Sequence, residues 1–405
     1  VAGAHWRRSA GRHDVDAALW ATGSRLDLVE NSTGYLIDPV HGDHRRQHED
    51  AFEIGGQLRH AVALHPIATL QSGLGLRSTL LDQSERHLGD ALEPLEERRS
   101  LEGSIHLVNA SLSATIAPFD ELRIDLGVRL DLAIADAEER LTAESDTGAT
   151  FAASPRLALA WYPTPEVGLF AAYGRGVRPP ELRAFVKTPG SPTGAPASEA
   201  YDGGDASMTT SDTIEIGIKS SPLSWLRMNV SAFFTAVSNE TLFEHASGST
   251  IALSETRRFG GDFEIALVPL DWLEFRADVS FVDARFVDGD TLVPGVPRLM
   301  GSLSVIAEHP MGVHGGVRFL GIAPRPLADG ATGEAYTGLD VHVGYTWRRF
   351  DIGLHMENLL ALDLQESQAH FASDWDPSDG IDPVPVTHVI AAPPLLVRLT
   401  LGMRF

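Results

Sequence analysis

The sequence contains no cysteine and no long apolar run. Because none of its 405 residues is a cysteine, disulfide frameworks, thiolate metal sites and cysteine nucleophiles are excluded. No stretch approaches the roughly 18 consecutive apolar residues of a transmembrane helix, so any membrane-spanning segment has to be a β-strand. Positive charge is also scarce: 32 Lys plus Arg face 55 Asp plus Glu, giving a net charge of -23, which argues against a nucleic-acid partner.

What the sequence does contain is a two-residue alternation of apolar and polar side chains. From Leu122 to Leu132 every second residue is Leu, Ile or Val, and charged residues or glycine fill the gaps. Successive side chains of a strand point to opposite faces, so this segment has one apolar and one charged face. The alternation recurs between short turns on one side and long loops on the other, which is typical of an outer-membrane barrel. The pattern predicts an all-β fold, a transmembrane antiparallel β-barrel with about 16 strands, the first of them over Asp14 to Glu30.

Two further features position these predicted strands. Trp161, Trp225 and Trp272 each lie at a short-turn end, which indicates an aromatic girdle at one membrane interface. The long loops are expected at residues 29–50, 81–101, 134–151, 179–209, 244–254, 287–297, 323–334 and 363–392.

Several motifs resemble those of a known family. The segments Ser154 to Pro165 (SPRLALAWYPTP) and Leu169 to Pro180 (LFAAYGRGVRPP) resemble the mid-barrel signature of TonB-dependent outer-membrane receptors. The later motifs RFGGDFE at 258–264, PLDWL at 269–273, VPGVPR at 293–298 and ENLL at 357–360 are similar to the family's late-barrel sequence. The terminal Phe405 resembles the aromatic end by which outer-membrane proteins are recognised for insertion.

This resemblance implies a place in the outer membrane of a Gram-negative bacterium, with periplasmic short turns and external loops. It also implies a barrel of about 22 strands around an N-terminal plug, preceded by a segment that contacts the energising TonB–ExbB–ExbD complex. No plug is visible before Val1 and the initiator methionine is absent. We therefore expect residues 1–405 to be the C-terminal part of such a barrel, the plug and first strands being missing. A self-closed barrel of about 16 strands, as in porins, is the alternative.

The resemblance implies a function as well. Family members are receptors for the energised uptake of a scarce nutrient, most often a ferric siderophore, and the chain is expected to be a monomer in outer-membrane lipid with no cofactor. Uptake of a metal ion, cobalamin or an oligosaccharide, and passive diffusion through a porin-like channel, are the alternatives. No nucleophile elbow or paired catalytic motif is present, so we do not expect an enzyme.

The first candidate site lies where a predicted strand meets the longest segment without periodicity. Arg175, Arg178 and Glu181 are close to the mouth of the predicted lumen. Arginine there would pair with carboxylate, catecholate or phosphate groups of an anionic iron chelate. The competing interpretation is a ladder of salt bridges with their inward-facing neighbours, Arg123, Asp125, Arg129 and Asp131. Aromatic contacts to the ligand are predicted from the last loop, at Phe371 and Trp375.

The second candidate site is a divalent-cation site in two loops that are dense in imidazole and carboxylate. Such groups bind zinc without any cysteine. Their spacing matches no zinc-ligand pattern on a regular element, and solvated acidic loops are the competing interpretation. The candidate ligands are His41, His44, His48, His370, Asp374, Asp376 and His388.

Overall fold

The computed structural model describes residues 1–185, 207–244, 249–252 and 255–404. This part of the chain consists of β-strands, their connections and two short 3-10 helices, Leu182–Phe185 and Ala328–Gly330. None of its helices has the length and apolar character needed to cross a membrane. The predicted all-β fold is confirmed.

The strands follow one another in chain order. The first half contains β1 Ala2–Ala10, β2 His13–Glu30, β3 His44–His65, β4 Ala68–Leu88, β5 Pro94–Phe119, β6 Leu122–Glu139, β7 Glu144–Thr164, β8 Val167–Arg178, β9 Thr209–Leu223 and β10 Leu226–Ser238. The second half contains β11 Thr241–Glu244, β12 Ser249–Ala252, β13 Thr256–Leu270, β14 Leu273–Phe286, β15 Leu299–Glu308, β16 Val313–Ile322, β17 Tyr336–Trp347, β18 Phe350–Glu357, β19 Gln365–Ala372, β20 Pro385–Ala391 and β21 Leu396–Met403.

Seventeen of these strands form one antiparallel sheet in which each strand pairs with the next. β11 with β12 and β19 with β20 form separate hairpins. Within the described residues β1 pairs only with β2 and β21 only with β18, so the sheet has two edges and is not closed. Consecutive strands alternate in direction, and the two edge strands therefore run the same way. The sheet has one strand more than the predicted 16 because β1 precedes Asp14.

The two faces of the sheet differ in polarity, as the alternation predicts. On the outer face Leu126, Val128 and Leu130 are 40–42% exposed, and Ile216 is 58% exposed. The opposite, inner face carries polar and charged residues such as Asp125. Large apolar side chains that stay exposed over so many strands form the band that faces lipid in a membrane barrel. Of the predicted girdle, Trp161 and Trp225 are 50% and 44% exposed at the short-turn ends, and Trp272 lies in the β13–β14 turn with its ring 4.9 Å from that of His309.

Two of the predicted loops are mostly strand. The β4–β5 connection is residues 89–93 rather than 81–101, and the β6–β7 connection is residues 140–143 rather than 134–151. β3, β4 and β5 have 22, 21 and 26 residues, whereas about ten residues suffice to cross a membrane. The strands continue beyond the apolar band, where the outer face too carries charged residues such as Asp136 and Glu138. Periodicity disappears there although backbone pairing does not, which is why the loop predictions were too long.

Other predicted loops contain structure of their own or lie partly outside the described residues. The last loop, 363–392, contains the β19–β20 hairpin, and the loop at 244–254 contains β12. The predictions for residues 186–206, 245–248 and 253–254 and for Phe405 fall outside the part that the structure describes.

The assignment of the two faces can be tested with one substitution on each. We expect Ile216→Arg, on the outer face, to lower the free energy of unfolding by about 2–4 kcal/mol, because the arginine would lie near the middle of the bilayer. Glu215→Arg is the matched control on the inner face and should change it by less than about 1 kcal/mol. The measurement is denaturant unfolding of the protein in lipid vesicles. An equal decrease in the free energy of unfolding for the two variants would contradict the assignment of the faces.

Candidate functional site

The predicted mouth residue Arg175 lies where β8 separates from β7. Pairing between these strands extends only to Arg156 and Gly174. Pro155, the next residue of β7, has no N–H to donate to a neighbouring strand. Beyond this point β8 continues with β9 alone, and the Arg175 guanidinium donates two hydrogen bonds of 2.9 Å to the Asp212 carboxylate.

Asp212 also accepts a hydrogen bond of 2.7 Å from the Tyr173 hydroxyl. A bidentate arginine–carboxylate pair fixes both side chains in one geometry. Arg175 is therefore held in one geometry at the end of the β7–β8 pairing, on the face that Tyr173 and Asp212 share with Ile214.

The other two predicted mouth residues belong to the segment that follows. Arg178 ends β8 opposite Thr209. The Glu181 carboxylate accepts a hydrogen bond of 2.6 Å from the Arg183 guanidinium. Arg175, Arg178 and Glu181 thus follow one another in the chain beyond the end of the β7–β8 pairing. The Arg175–Asp212 pair and the Arg183–Glu181 pair are separate.

The short helix Leu182–Phe185 packs on the inner face of the extended strands. Leu182 and Phe185 are 2% and 3% exposed and contact the buried Leu101, Ala135 and Ala137. Two glycines make this close approach possible. A Cβ on Gly103 would lie 2.8 Å from the Leu182 Cδ2, and one on Gly148 would lie 2.5 Å from the Phe185 ring.

A second apolar cluster lies next to the first, where Met208 packs on Ala133, Ala152 and Val177. The two ends of the β8–β9 connection that the structure describes are therefore both fixed to the inner wall by apolar contacts. Neither Leu182 nor Met208 was singled out by the sequence, because the connection has no periodicity. Two apolar residues three positions apart, Leu182 and Phe185, are the only local signal.

Charged groups surround the helix where it meets β5. Burial lowers the pKa of the Arg99 guanidinium, and the nearby carboxylate of Glu85 opposes that effect. Glu139 is 1% exposed, and its carboxylate accepts backbone hydrogen bonds from Ser100 and Leu141. These hydrogen bonds compensate for the burial of the Glu139 carboxylate.

The inner face of β1–β8 lines a cavity of about 1060 Å³ below this helix. Six of its lining residues are arginines and three are aspartates: Arg7, Arg59, Arg77, Arg129, Arg156, Arg175, Asp14, Asp16 and Asp131. The four members of the predicted salt-bridge ladder form two pairs within their own strand: Arg129 lies 2.6 Å from Asp131, and Arg123, outside the cavity lining, lies 2.8 Å from Asp125. The ladder interpretation therefore describes part of this wall.

The two histidine-rich loops meet through their backbones. The Tyr35 N–H donates to the Asp374 carbonyl at 2.6 Å, and the Asp374 N–H donates to the Thr33 carbonyl at 2.9 Å. Asp43 is 6% exposed and holds the first loop together by accepting hydrogen bonds from the Thr33 hydroxyl and the Asp38 N–H. The structure thus brings residues 31–43 and the last loop side by side.

The predicted metal ligands in these loops have separate partners. His41 lies 3.1 Å from Asp38, His44 lies 3.9 Å from Asp90, and His48 lies 3.2 Å from Asp50. Hydrogen bonds from Ser378 lower the pKa of the Asp376 carboxyl, and the Asp374 carboxylate accepts the Asp376 N–H at 3.1 Å.

In the hairpin of the last loop, His370 is 3.1 Å from Thr387, and His388 stacks on Phe371 at 3.8 Å between ring centroids. Trp375 is 59% exposed. In the described part of the chain no three His, Asp or Glu side chains are grouped to hold a metal ion. The cation site in these loops stays a prediction.

The family assignment is decided by the sequence as a whole. Residues 3–359 match the family model described as TonB dependent receptor-like, beta-barrel. The chain belongs to the TonB-dependent receptor family. The predicted resemblance is confirmed. No curated protein matches the sequence.

Solved structures of TonB-dependent receptors share this fold. The ferric yersiniabactin uptake receptor FyuA from Yersinia pestis is similar with a TM-score of 0.76 and 13% identity, over 98% of this chain and 60% of that one. The copper transporter OprC is similar with a TM-score of 0.79 and 16% identity, over 100% of this chain and 64% of that one. The siderophore receptor PiuA from Acinetobacter baumannii is similar with a TM-score of 0.73 and 12% identity, over 97% of this chain and 62% of that one. At these identities the likeness shows the fold alone, and the chain spans less than two thirds of each of these structures.

Docking of the helix on the wall of this TonB-dependent receptor can be tested by thiol labelling. Because the chain has no cysteine, Ala137→Cys introduces a single reporter beneath Leu182. We expect Phe185→Ala to raise the maleimide labelling rate of this thiol at least about tenfold, since removal of a buried aromatic side chain costs about 3–5 kcal/mol.

The control for this experiment is Leu141→Ala, at a residue that is 43% exposed in the β6–β7 turn. Labelling in this variant should match that of the parent protein. An unchanged rate in the Phe185→Ala protein would show that the helix does not cover the wall.

Proposed function

We propose that this chain is the barrel part of a receptor in the outer membrane that takes up a scarce nutrient with energy from the TonB–ExbB–ExbD complex. A ferric siderophore is the first candidate cargo. The family supports energised uptake, and the ferric yersiniabactin receptor FyuA and the siderophore receptor PiuA support the choice of cargo. No enzymatic step is proposed.

The observation that carries this proposal is the polar cavity on the inner face. Its volume of about 1060 Å³ is at the upper end of the roughly 300–1,000 Å³ of small-molecule sites, and chelates of iron are large ligands. Arg175 is among the residues that line the cavity, and Arg178 and Glu181 follow it in the chain. A ligand entering from outside would pass these residues first, and the exposed Trp375 offers a further apolar contact at the outer surface.

A metal ion is the second candidate cargo. The copper transporter OprC has the highest TM-score of the three structures compared. His342 and His355 lie on the inner face, with their rings stacked at 5.8 Å between centroids. Imidazole is a good ligand for copper and zinc. Together with the histidines of the outer loops, this pair supports metal-ion uptake as the alternative.

The two cargoes are distinguished by uptake measurements in cells. We expect deletion of the complete gene to reduce growth under iron limitation and to abolish the uptake of radioactive iron that siderophore-containing medium supports. Uptake of radioactive copper should be unchanged. Restoring the gene should restore iron uptake only while TonB is present.

The controls separate the parts of this proposal. Uptake that persists without TonB would contradict an energised receptor and favour a passive channel. Loss of copper uptake with normal iron uptake would replace the first cargo by the second.

A further inference from the structure

The short turns of the sheet differ in charge. Those that connect β5 with β6, β7 with β8 and β13 with β14 carry acidic residues, namely Asp120, Glu121, Glu166 and Asp271. The β1–β2 turn differs from them, because Arg12 lies in it and Arg8 and His13 lie beside it. The chain has only 32 Lys plus Arg against 55 Asp plus Glu, and part of this scarce positive charge is concentrated at the β1–β2 turn.

Strand register places Arg8 and a histidine on the outer face of the sheet. Arg8 is opposite Val15, and Val15 is opposite His60. His60 is two residues from Leu58, which aligns across β4 and β5 with Leu130 of the outer apolar face. Since alternate residues of a strand share a face, this row presents a guanidinium and an imidazole group to the lipid side.

A second histidine lies between these two groups, one row nearer to the turn. His13 is two residues before Val15 on β2, and its Nδ1 is 3.0 Å from the Nε2 of His60. The two rings are stacked with 5.3 Å between their centroids. In a neutral pair one ring donates this hydrogen bond, and the accepting ring still carries an N–H on its other nitrogen. That N–H can be donated to a ligand.

The arginines at this turn have no carboxylate partner among the described residues. Neither Arg8 nor Arg12 forms a salt bridge there. Asp14 and Asp16 alternate with the outward Val15, and they accept hydrogen bonds from β1 residues on the inner face. A guanidinium on the lipid side of a barrel is unfavourable unless it reaches the headgroup region. Arg8 therefore requires an anion at that depth.

Apolar side chains lie next to the charged row, on the side away from the turn. Trp6 is 52% exposed and Leu58 is 46% exposed, and they flank Ala17 in one row of the outer face. Cationic groups beside exposed aromatic and aliphatic side chains match an amphiphile with an anionic phosphate and apolar chains. A small anion from solution would use the cationic groups alone.

We propose that Arg8, Arg12, His13 and His60 bind the phosphate group of an anionic phospholipid from the leaflet next to the short turns, with its acyl chains against the neighbouring apolar side chains. This inference goes beyond the proposed uptake function. It rests on the place of the barrel in a membrane and is independent of the cargo.

The test is native mass spectrometry of the complete receptor after incubation in detergent with equal amounts of phosphatidylglycerol and phosphatidylcholine. We expect phosphatidylglycerol to be retained in about tenfold excess, because only this lipid carries a net charge. Arg8→Gln and Arg12→Gln should each lower this ratio at least about threefold, since each removes a charge-assisted contact. The double variant should retain the two lipids equally.

The matched control is Arg349→Gln, which removes the same charge from the β17–β18 turn. Arg349 is exposed and forms no salt bridge within the described chain, and the lipid ratio of this variant should equal that of the parent. Excess glycerol 3-phosphate should not displace the lipid, because it has no acyl chains to contact Trp6 and Leu58. Circular dichroism should show the same β-content in all variants.

Equal retention of the two lipids by the parent protein would overturn the phospholipid site. The same decrease in the Arg349→Gln and Arg8→Gln proteins, or displacement by glycerol 3-phosphate, would also overturn it. Nutrient uptake in cells is measured in parallel. If TonB-dependent uptake is present while the parent protein shows no preference between the lipids, the proposed function stands and only this site is refuted.

Discussion

The structure depends on one constraint, which is that every backbone N–H and C=O group within a lipid bilayer needs a partner in the protein. An unpaired group in hydrocarbon costs several kcal/mol, and no apolar helix is present in the described chain to satisfy the backbone locally. Within the described sheet the antiparallel ladder provides these partners from strand to strand, except along the outer edges of β1 and β21. The side chains of the two faces are then free to differ in chemistry, because the backbone hydrogen bonds lie in the plane of the sheet and the side chains project above and below it.

That freedom explains how an acidic protein maintains a basic wall. Alternation places one residue in two on the inner face, where it contacts polar neighbours rather than lipid. Arg59 and Arg156 occupy such positions on β3 and β7. The acidic surplus lies elsewhere, for example in Asp27 and Asp50 on the extended strands and in Asp376 of the last loop. The arginines of the inner face and these aspartates thus lie in different parts of the sheet.

The sequence predicts the parts of the fold that lipid dictates. Leu126, Val128 and Leu130 have to face hydrocarbon, so their two-residue spacing identifies both the strand and its outer face. It predicts less above the membrane, where Glu85 and Glu97 belong to strands although the alternation of apolar and polar residues has ended. β1 was missed for a similar reason, because its apolar positions are alanines and a single tryptophan, Trp6.

The candidate site was predictable only in part. Arg175 and Glu181 were found because they follow a recognisable motif, but their partners Asp212 and Arg183 depend on the local path of the chain. The cavity wall between Arg59 and Arg129 combines residues from β3 to β6, whose alignment is fixed by strand register. Register cannot be read from one strand, and a shift of a single residue would move Arg59 to the lipid face.

The long strands β3 to β7 have a consequence for recognition. Segments expected to be long loops are backbone-paired almost to their tips, with connections as short as residues 89–93 and 140–143. A ligand that meets such a surface does not have to order it first, so little conformational entropy is lost on binding. Selectivity at the entrance would then come from fixed shape, and a poorly fitting molecule could not be accommodated by rearrangement of the rim.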